Sequence, residues 1–389
     1  MPSRPVVELL QRLVAIPSVN PSLADDPSVG GEARLAEFLA GHLEHAGYKV
    51  AWHEATHGRP NVVGRYGPAQ PRRSILVESH LDTQGIHGMT VPPFEGGVRD
   101  GKLFGRGACD TKGPMAAALT ALDQPTLDAL AGAGVQVLYI GAMGEEKGNL
   151  GAEELVELGV GADEALILEP TDLNVVHAHK GALWFELEVE GLAAHGSNPA
   201  LGLSAIRGMM KAIERIESLV ETEARTHIHP LLGKPTVNIG LIRGGSSINI
   251  VPDRCVIEVD RRVLPGDTSD KVMGQVQQEL DALKAKGAFG AWHIHKIKDG
   301  IPFETTSESA LVKRLLKSCA DAGVQSRAEG AGWYSDAGPF SRTCKEVAVF
   351  GPGSIRQAHT ADDFIELSSL ETGTQILRRF FQSLGSSVT

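Results

Sequence analysis

The stretch Gly141-Ala142-Met143-Gly144-Glu145-Glu146-Lys147-Gly148 constrains this chain most. It follows Val135-Gln136-Val137-Leu138-Tyr139-Ile140, an apolar run whose β-branched and aromatic content and glycine-bounded ends predict a buried strand. Two carboxylates placed directly after such a strand repel one another, and each resists leaving water. A divalent cation removes that cost. It also separates their tasks: one carboxylate ligates, and its neighbour takes a proton from the attacking water. A lone Glu-Glu pair reads equally as a solvated loop. Imidazoles and carboxylates at strand ends elsewhere decide for the cation.

The chain has 389 residues, more than one core ordinarily serves, so two domains are expected. Its net charge of −11 argues against a nucleic-acid partner. No run approaches the length of a membrane span. Arg4, Glu8, Gln11 and Arg12 interrupt any apolar leader, so no signal peptide is expected. Cys109, Cys255, Cys319 and Cys344 are scattered without Cys-x-x-Cys spacing. That pattern fits reduced thiols in a cytoplasmic protein, not a disulfide frame or a thiolate zinc site.

Val6, Leu9, Leu10 and Leu13 recur at helical spacing before Pro17, and Leu35, Phe38, Leu39 and Leu43 mark a second helix ending near Gly47. Strands are expected at 48–52, 61–66 and 74–79, the last delivering His80-Leu81-Asp82. A Gly- and Pro-rich loop leads to Gly105-Arg106-Gly107-Ala108-Cys109-Asp110-Thr111-Lys112-Gly113 and an alanine-rich helix. The strand Leu166-Ile167-Leu168 ends in Glu169-Pro170. Strands alternating with helices predict an α/β sheet covered on both faces.

After Gly181 the pattern changes. Phe185, Leu187 and Val189 alternate with Glu186, Glu188 and Glu190, a strand with one wet face. A helical stripe follows at Leu203, Ile206, Met210 and Ile213, then strands at 236–242 and 251–263. A helix carrying Val272, Val276, Leu280 and Leu283 and a strand near 292–297 complete a β-α-β-β-α-β order, the ferredoxin-like split arrangement. The expected fold is therefore α/β in two domains. Residues 1–180 and 299–389 form a mixed α/β catalytic, metal-binding domain, and 181–298 are inserted into it. The first domain resumes with a helix at Leu311, Leu315 and Leu316, a strand at 347–350 and a final helix carrying Leu370, Ile376, Leu377 and Phe380.

Five candidate ligands stand in loops or at strand ends: His80, Asp110, Glu146, Glu169 and His359. In open α/β sheets the carboxyl ends of strands converge on one crevice, where residues distant in sequence meet. Mixed imidazole and carboxylate ligation suits zinc, with cobalt or manganese as substitutes. Five such ligands without cysteine suit two metals about 3.5–4 Å apart, bridged by one carboxylate. Asp82, two residues from His80 along an extended segment, is placed to accept the free imidazole N–H. Taken singly, His80 and His359 read as ordinary surface or core histidines. The pairs His177/His179, His227/His229 and His293/His295 have no accompanying carboxylate cluster and are not expected to bind metal. Gly105-x-Gly107 is no dinucleotide fingerprint, and Thr111-Lys112-Gly113 is no phosphate loop. Cys109 reads as a small buried filler.

Ser79-His80-Leu81-Asp82-Thr83, the Gly105–Gly113 segment, Glu145-Glu146, Glu169-Pro170-Thr171 and Gln357-Ala358-His359 occur in one order over almost the whole chain. Together they resemble the M20 metallopeptidase family of acetylornithine deacetylases, succinyl-diaminopimelate desuccinylases, aminoacylases and glutamate carboxypeptidases. The wording of His179-Lys180-Gly181 and of 351–359 is most similar to the acetylornithine deacetylase branch, whereas Gly332-Trp333-Tyr334-Ser335-Asp336-Ala337 matches neither that branch nor the desuccinylases closely. The resemblance implies a catalytic domain of zinc-exopeptidase type with an inserted dimerisation or lid domain. It implies two zinc ions, cobalt being possible. His80 and Glu169 would hold one, Glu146 and His359 the other, and Asp110 would bridge them. Glu145 would be the general base and Asp82 a catalytic neighbour of His80. His195, in Ala194-His195-Gly196-Ser197, would stabilise the oxyanion from the partner subunit of a homodimer. Asn249 and Arg262 would bind substrate, although Arg262 reads equally as the partner of an acid on a neighbouring strand. The implied reaction is hydrolysis of the amide of an N-acyl amino acid, first of all N-acetylornithine. Succinyl-diaminopimelate, other acylated amino acids and dipeptides are alternatives on the same site, and a non-catalytic metal-binding role is the reading outside enzymes.

Overall fold

The computed structural model describes residues 4–385. The chain forms two compact units. The first holds the chain up to His177, Glu304–Gly330 and the chain from Ser335 onward; the second holds Ala178–Phe303 and Ala331–Tyr334. The mixed α/β architecture expected from the sequence is present.

Six strands of the first unit run side by side in the order Lys49–Thr56, Arg59–Tyr66, Val135–Ala142, Arg73–His80, Glu164–Ile167 and Glu346–Val349. The first two are antiparallel, and the second meets Val135–Ala142 antiparallel. The last four are mutually parallel. Parallel strands are buried on both faces, which explains their near-continuous apolar sequences. Val135–Ala142 is buried at every position except Gln136. Registers align Ser79 with Gly141 and His80 with Ala142, so neighbouring strands end level.

One large core lies under helices Pro5–Val14, Ala33–His45, Lys112–Ala121, Ala310–Asp321 and Leu367–Leu384. Leu10, Leu13, Leu35, Leu39, Phe380 and Phe381 are all but sealed from solvent. Each such side chain contributes about 1.5–3 kcal/mol on burial. Lys112–Ala121 is buried nearly throughout, as its alanines allow. Three helices have no counterpart in the periodicity reading: Gln124–Gly132, Leu150–Glu157 and the short Ala337–Phe340. The first starts at an Asp123 cap, whose carboxylate accepts from the Thr126 N–H at 3.1 Å, with Pro125 in its first turn.

The second unit is a four-stranded antiparallel sheet in the order Thr236–Gly244, Arg254–Val263, Gly181–Glu190 and Ala291–Gly300. Helices Ala205–Thr226 and Ser269–Ala285 complete the β-α-β-β-α-β order. Phe185, Leu187 and Val189 enter its core, while Glu188 meets Arg254 and Glu190 meets His293 on the wet face. Of the stripe expected on the first helix, Ile206 and Ile213 are half-buried against this core, but the face is centred on other residues. The buried face is Ala205, Gly208, Met209, Ala212, Ile216 and Val220, and Met210 is exposed. A Cβ on Gly208 would stand 2.7 Å from the Ala288 carbonyl and 3.1 Å from Phe289. The helix backbone therefore packs through small residues, a face that weighting by large apolar side chains misses. Among the described residues no helix is long and apolar enough to cross a membrane.

Candidate metal centre

The parallel strands explain how residues distant in sequence meet. Arg73–His80 ends on His80; Val135–Ala142 is followed by Glu145 and Glu146; Glu164–Ile167 is followed by Glu169; Glu346–Val349 leads to the loop of His359. All leave the sheet at the carboxyl edge, where crevices of α/β sheets form. Asp110 arrives in the loop ahead of helix Lys112–Ala121.

His80, Asp110 and Glu169 bring ligand atoms within 4.8 Å of one another, and Asp110, Glu146 and His359 do the same. Asp110 belongs to both groups. Its Oδ1 lies 3.0 Å from His80 Nε2 and its Oδ2 lies 3.3 Å from His359 Nε2. Glu146 Oε2 is 3.1 Å from His359 Nε2, and Glu169 Oε1 is 3.9 Å from His80 Nε2. All five candidate ligands are thus brought together, with Glu145 buried beside them.

Asp82 differs in detail from expectation. The N–H at His80 Nδ1 is received by the backbone carbonyl of Asp82 at 2.9 Å, while the Asp82 carboxylate stands 3.6 Å away. A carbonyl only accepts, so Nδ1 carries a proton, and Nε2 is the nitrogen turned toward the acids. The Asp82 carboxylate instead accepts from the backbone N–H groups of Glu145 at 3.0 Å and Glu146 at 3.1 Å, and from Asn20 Nδ2 at 2.8 Å. Asp82 therefore orients the imidazole and fixes the Glu145–Glu146 turn together. Gly144 enters that turn at φ 76°, which glycine adopts without strain. Asp363 performs a similar task across the site. It accepts from the N–H groups of Gly107 at 2.8 Å and Cys109 at 3.1 Å and from Arg106 at 3.2 Å, tying the Asp110 loop to the segment after His359. Neither Asp363 nor Asn20 carries a spacing signal in the sequence. His359 itself sits at φ 63°, a costly conformation for histidine of the kind that clusters at functional sites.

The charges do not balance without a cation. Burial raises the Glu169 carboxyl well above its ordinary range, and the Asp110 charge adds to this despite His80. Burial likewise raises Glu146, with His359 opposing. Burial pulls His80 and His359 down, yet contacts with Asp110 and its neighbours lift His80 well above its usual value and His359 to about 10. Glu78, buried two residues before His80, is pushed up by burial first and then by the Asp336 charge. Glu146 Oε1 is buried and has no hydrogen-bond partner among the described residues. Neither Asp110, Glu146 nor Glu169 has a lysine or arginine partner there. Divalent cations fit this donor set, since they satisfy the orphaned oxygen and neutralise the acids.

A third His–carboxylate group, Glu223, His227 and Asp267, lies in the second unit. The sequence reading saw no carboxylate cluster beside the His227/His229 pair: Glu223 stands one helical turn before His227, but Asp267 joins them only through the fold. Their charges are already met: Arg261 pairs with Glu223 and Lys271 with Asp267. His177 and His179 spend their Nδ1 atoms on the carbonyls of Thr305 and Lys180, and His293 pairs with Glu190.

His195, Asn249 and Arg262 all belong to the second unit. Gly196 N donates to Asn249 O at 2.7 Å and Val251 N to Ala194 O at 2.8 Å, so the His195 and Asn249 segments run side by side. His195 is exposed, with Nδ1 2.7 Å from Ser197 Oγ. Arg262 meets Asp260, two residues away on its own strand, at 3.0 Å. Cys109 is buried, its thiol 3.3 Å from the Ser354 carbonyl.

Residues 76–383 match the sequence profile of Peptidase family M20/M25/M40. The chain is 30% identical to an acetylornithine deacetylase of Myxococcus xanthus, over 91% of this chain and 93% of that one. It is 29% identical to an acetylornithine deacetylase of Photorhabdus laumondii, over 96% and 95%. Its fold is similar to that of an M20 family metallo-carboxypeptidase from Sulfolobus solfataricus, with TM-score 0.79, 20% identity and coverage of 98% and 99%. It is also similar to human carnosine dipeptidase 1, with TM-score 0.69, 18% identity and coverage of 98% and 96%. On the profile match and the curated relatives, the chain belongs to peptidase family M20/M25/M40 and is a hydrolase of that family.

Proposed function

We propose that this protein hydrolyses the amide bond of an N-acyl amino acid, with N-acetylornithine the foremost substrate. The observation that carries the reading is Asp110, whose two carboxylate oxygens each face a different histidine beside the buried Glu145. The names of the curated relatives support the choice of acyl amino acid. His80, Asp110, Glu146, Glu169 and His359 would hold two zinc ions, which would supply Lewis acidity and lower the pKa of the attacking water. Glu145 takes a proton from the attacking water and returns it to the leaving nitrogen, so the products are a carboxylate and a free amino acid. Asp82 holds Glu145 and Glu146 at the orientation the reaction needs. His195 of a second copy stabilises the oxyanion in a homodimer, and Asn249 and Arg262 bind substrate. The four free, buried cysteines suit a reducing cytoplasmic setting.

The test is a hydrolysis panel with zinc- and cobalt-loaded protein, covering acetyl, succinyl and formyl amino acids and dipeptides. N-acetylornithine should be cleaved with the highest kcat/KM. Preference for dipeptides would move the chain to the peptidase reading, and no turnover on any member would leave a non-catalytic role.

A further inference from the structure

The segment Gly332–Ala337, which fitted neither branch of the family, places Asp336 in the first unit with its side chain wholly buried. Its Oδ1 accepts from Asn149 Nδ2 at 2.7 Å. The same amide nitrogen lies 3.4 Å from Glu145 Oε1. Asn149 is also buried, and its backbone is pinned: its N–H donates to the Gly144 carbonyl at 2.9 Å, and its own carbonyl accepts from Glu153 N at 3.0 Å. The residue sits at φ 57°, ψ 28°, a left-handed corner that asparagine tolerates and glycine fits without strain. The corner alone therefore does not require an amide. Yet the amide nitrogen faces two carboxylates, one on the base and one on a buried acid that nothing in the reaction uses.

We propose that Asn149 and Asp336 form a positioning pair for the general base. Asp336 fixes which side of the Asn149 amide faces the site, because the flipped amide would set its oxygen against two carboxylates. The amide then holds Glu145 Oε1, leaving Oε2 directed to the proton of the attacking water. The 3.4 Å contact is the loose form, of the kind that tightens when substrate binds. The inference rests on the reading of Glu145 as base and adds how its carboxylate is aimed.

Asn149→Gly keeps the left-handed corner and deletes the amide. It should lower kcat by about 10–100-fold, the usual scale for a misaimed catalytic group. KM and zinc content should stay at wild-type values, while the thermal midpoint falls because the buried Asp336 loses its donor. Asp336→Asn, which keeps the volume and removes the charge that orients the amide, should lower kcat by less. In a Glu145→Gln background neither change should lower residual turnover further, since residues acting through one group are not additive. A crystal structure of Asn149→Gly should show the Glu145 carboxylate in more than one orientation. Unchanged kcat in Asn149→Gly, an equal loss in the Glu145→Gln background, or a single undisturbed Glu145 rotamer would each overturn the pair's role. If Glu145 is not the base, Glu145→Gln will retain wild-type turnover, which removes that assignment and the pair's role together; failure of the functional reading shows instead as no turnover of acyl amino acids by the wild type, so the two are told apart.

Discussion

Among the described residues two regions bring histidine and carboxylates within ligand distance, and they differ in how their charge is met. In the first unit, three acids and two imidazoles meet without one lysine or arginine among the described ion pairs of the ligands. In the second, Glu223, His227 and Asp267 meet as closely, but Arg261 and Lys271 already answer both acids. In the first cluster burial leaves Glu169 and Glu146 raised, while Asp110, held between the two histidines, is lowered; at Asp267 the pull of Lys271 and His227 likewise outweighs burial. Ligand geometry alone therefore does not make a metal site. An uncompensated negative charge does, because only then does a cation lower the energy of the fold.

The largest test of that contrast is removal of metal. Chelated protein should lose all measurable activity and regain it with zinc or cobalt, and elemental analysis should find about two ions per chain in the restored protein. Glu146→Gln should reduce that number, whereas His227→Ala should leave it unchanged. Full activity in metal-free protein breaks the reading of the first cluster; a metal lost with His227 breaks the reading of the second.

Next in size is the split within the Glu pair. Glu145→Gln should cut turnover by about 10²–10⁴-fold while metal content stays near normal. If Glu146→Gln instead shows that phenotype, the base and the ligand are exchanged.

Much of this was legible in the sequence, and for a definable reason. Parallel strands write their burial as continuous apolar runs, and the residue after each run is the residue at the crevice. His80, Glu145, Glu146 and Glu169 all stand just after such a run. Other features were hidden. Asp363 and Asn149 act on backbone or side-chain groups far along the chain or around one tight corner, and no spacing marks them. Asp82 was placed beside His80, but its main task, holding the N–H groups of Glu145 and Glu146, depends on two strands ending level. The buried face of Ala205–Thr226 was misjudged because alanine and glycine bury their backbone rather than a large side chain.

A third test asks whether His195 takes part in the reaction. His195→Ala should cost about 10²–10³-fold in turnover, as loss of an oxyanion donor does. Mixing His195→Ala with Glu145→Gln subunits then discriminates cis from trans action. If a twofold partner lends His195, each mixed dimer regains about one working site of two. No recovery, with subunit exchange verified by mass, means that His195 acts within its own chain or not at all.

The smallest effect sharpens the contrast from the other side. Lys271 is mostly exposed while Asp267 is buried, so the pair is half screened and worth about 0–1 kcal/mol. Lys271→Met should destabilise the protein by no more than that, equally with and without zinc, because no metal competes for Asp267. The sign with pH follows from the shift. Asp267 has a folded-state pKa below its ordinary 3.8, so its ionised form is favoured in the fold. The stabilisation is present above that ordinary value and is lost as pH falls through the lowered one. The difference in thermal midpoint between wild type and Lys271→Met should therefore persist at neutral pH and shrink under strong acid or high salt. A difference that changes on adding zinc would show that the second cluster does hold a metal, and charge balance would no longer separate the two.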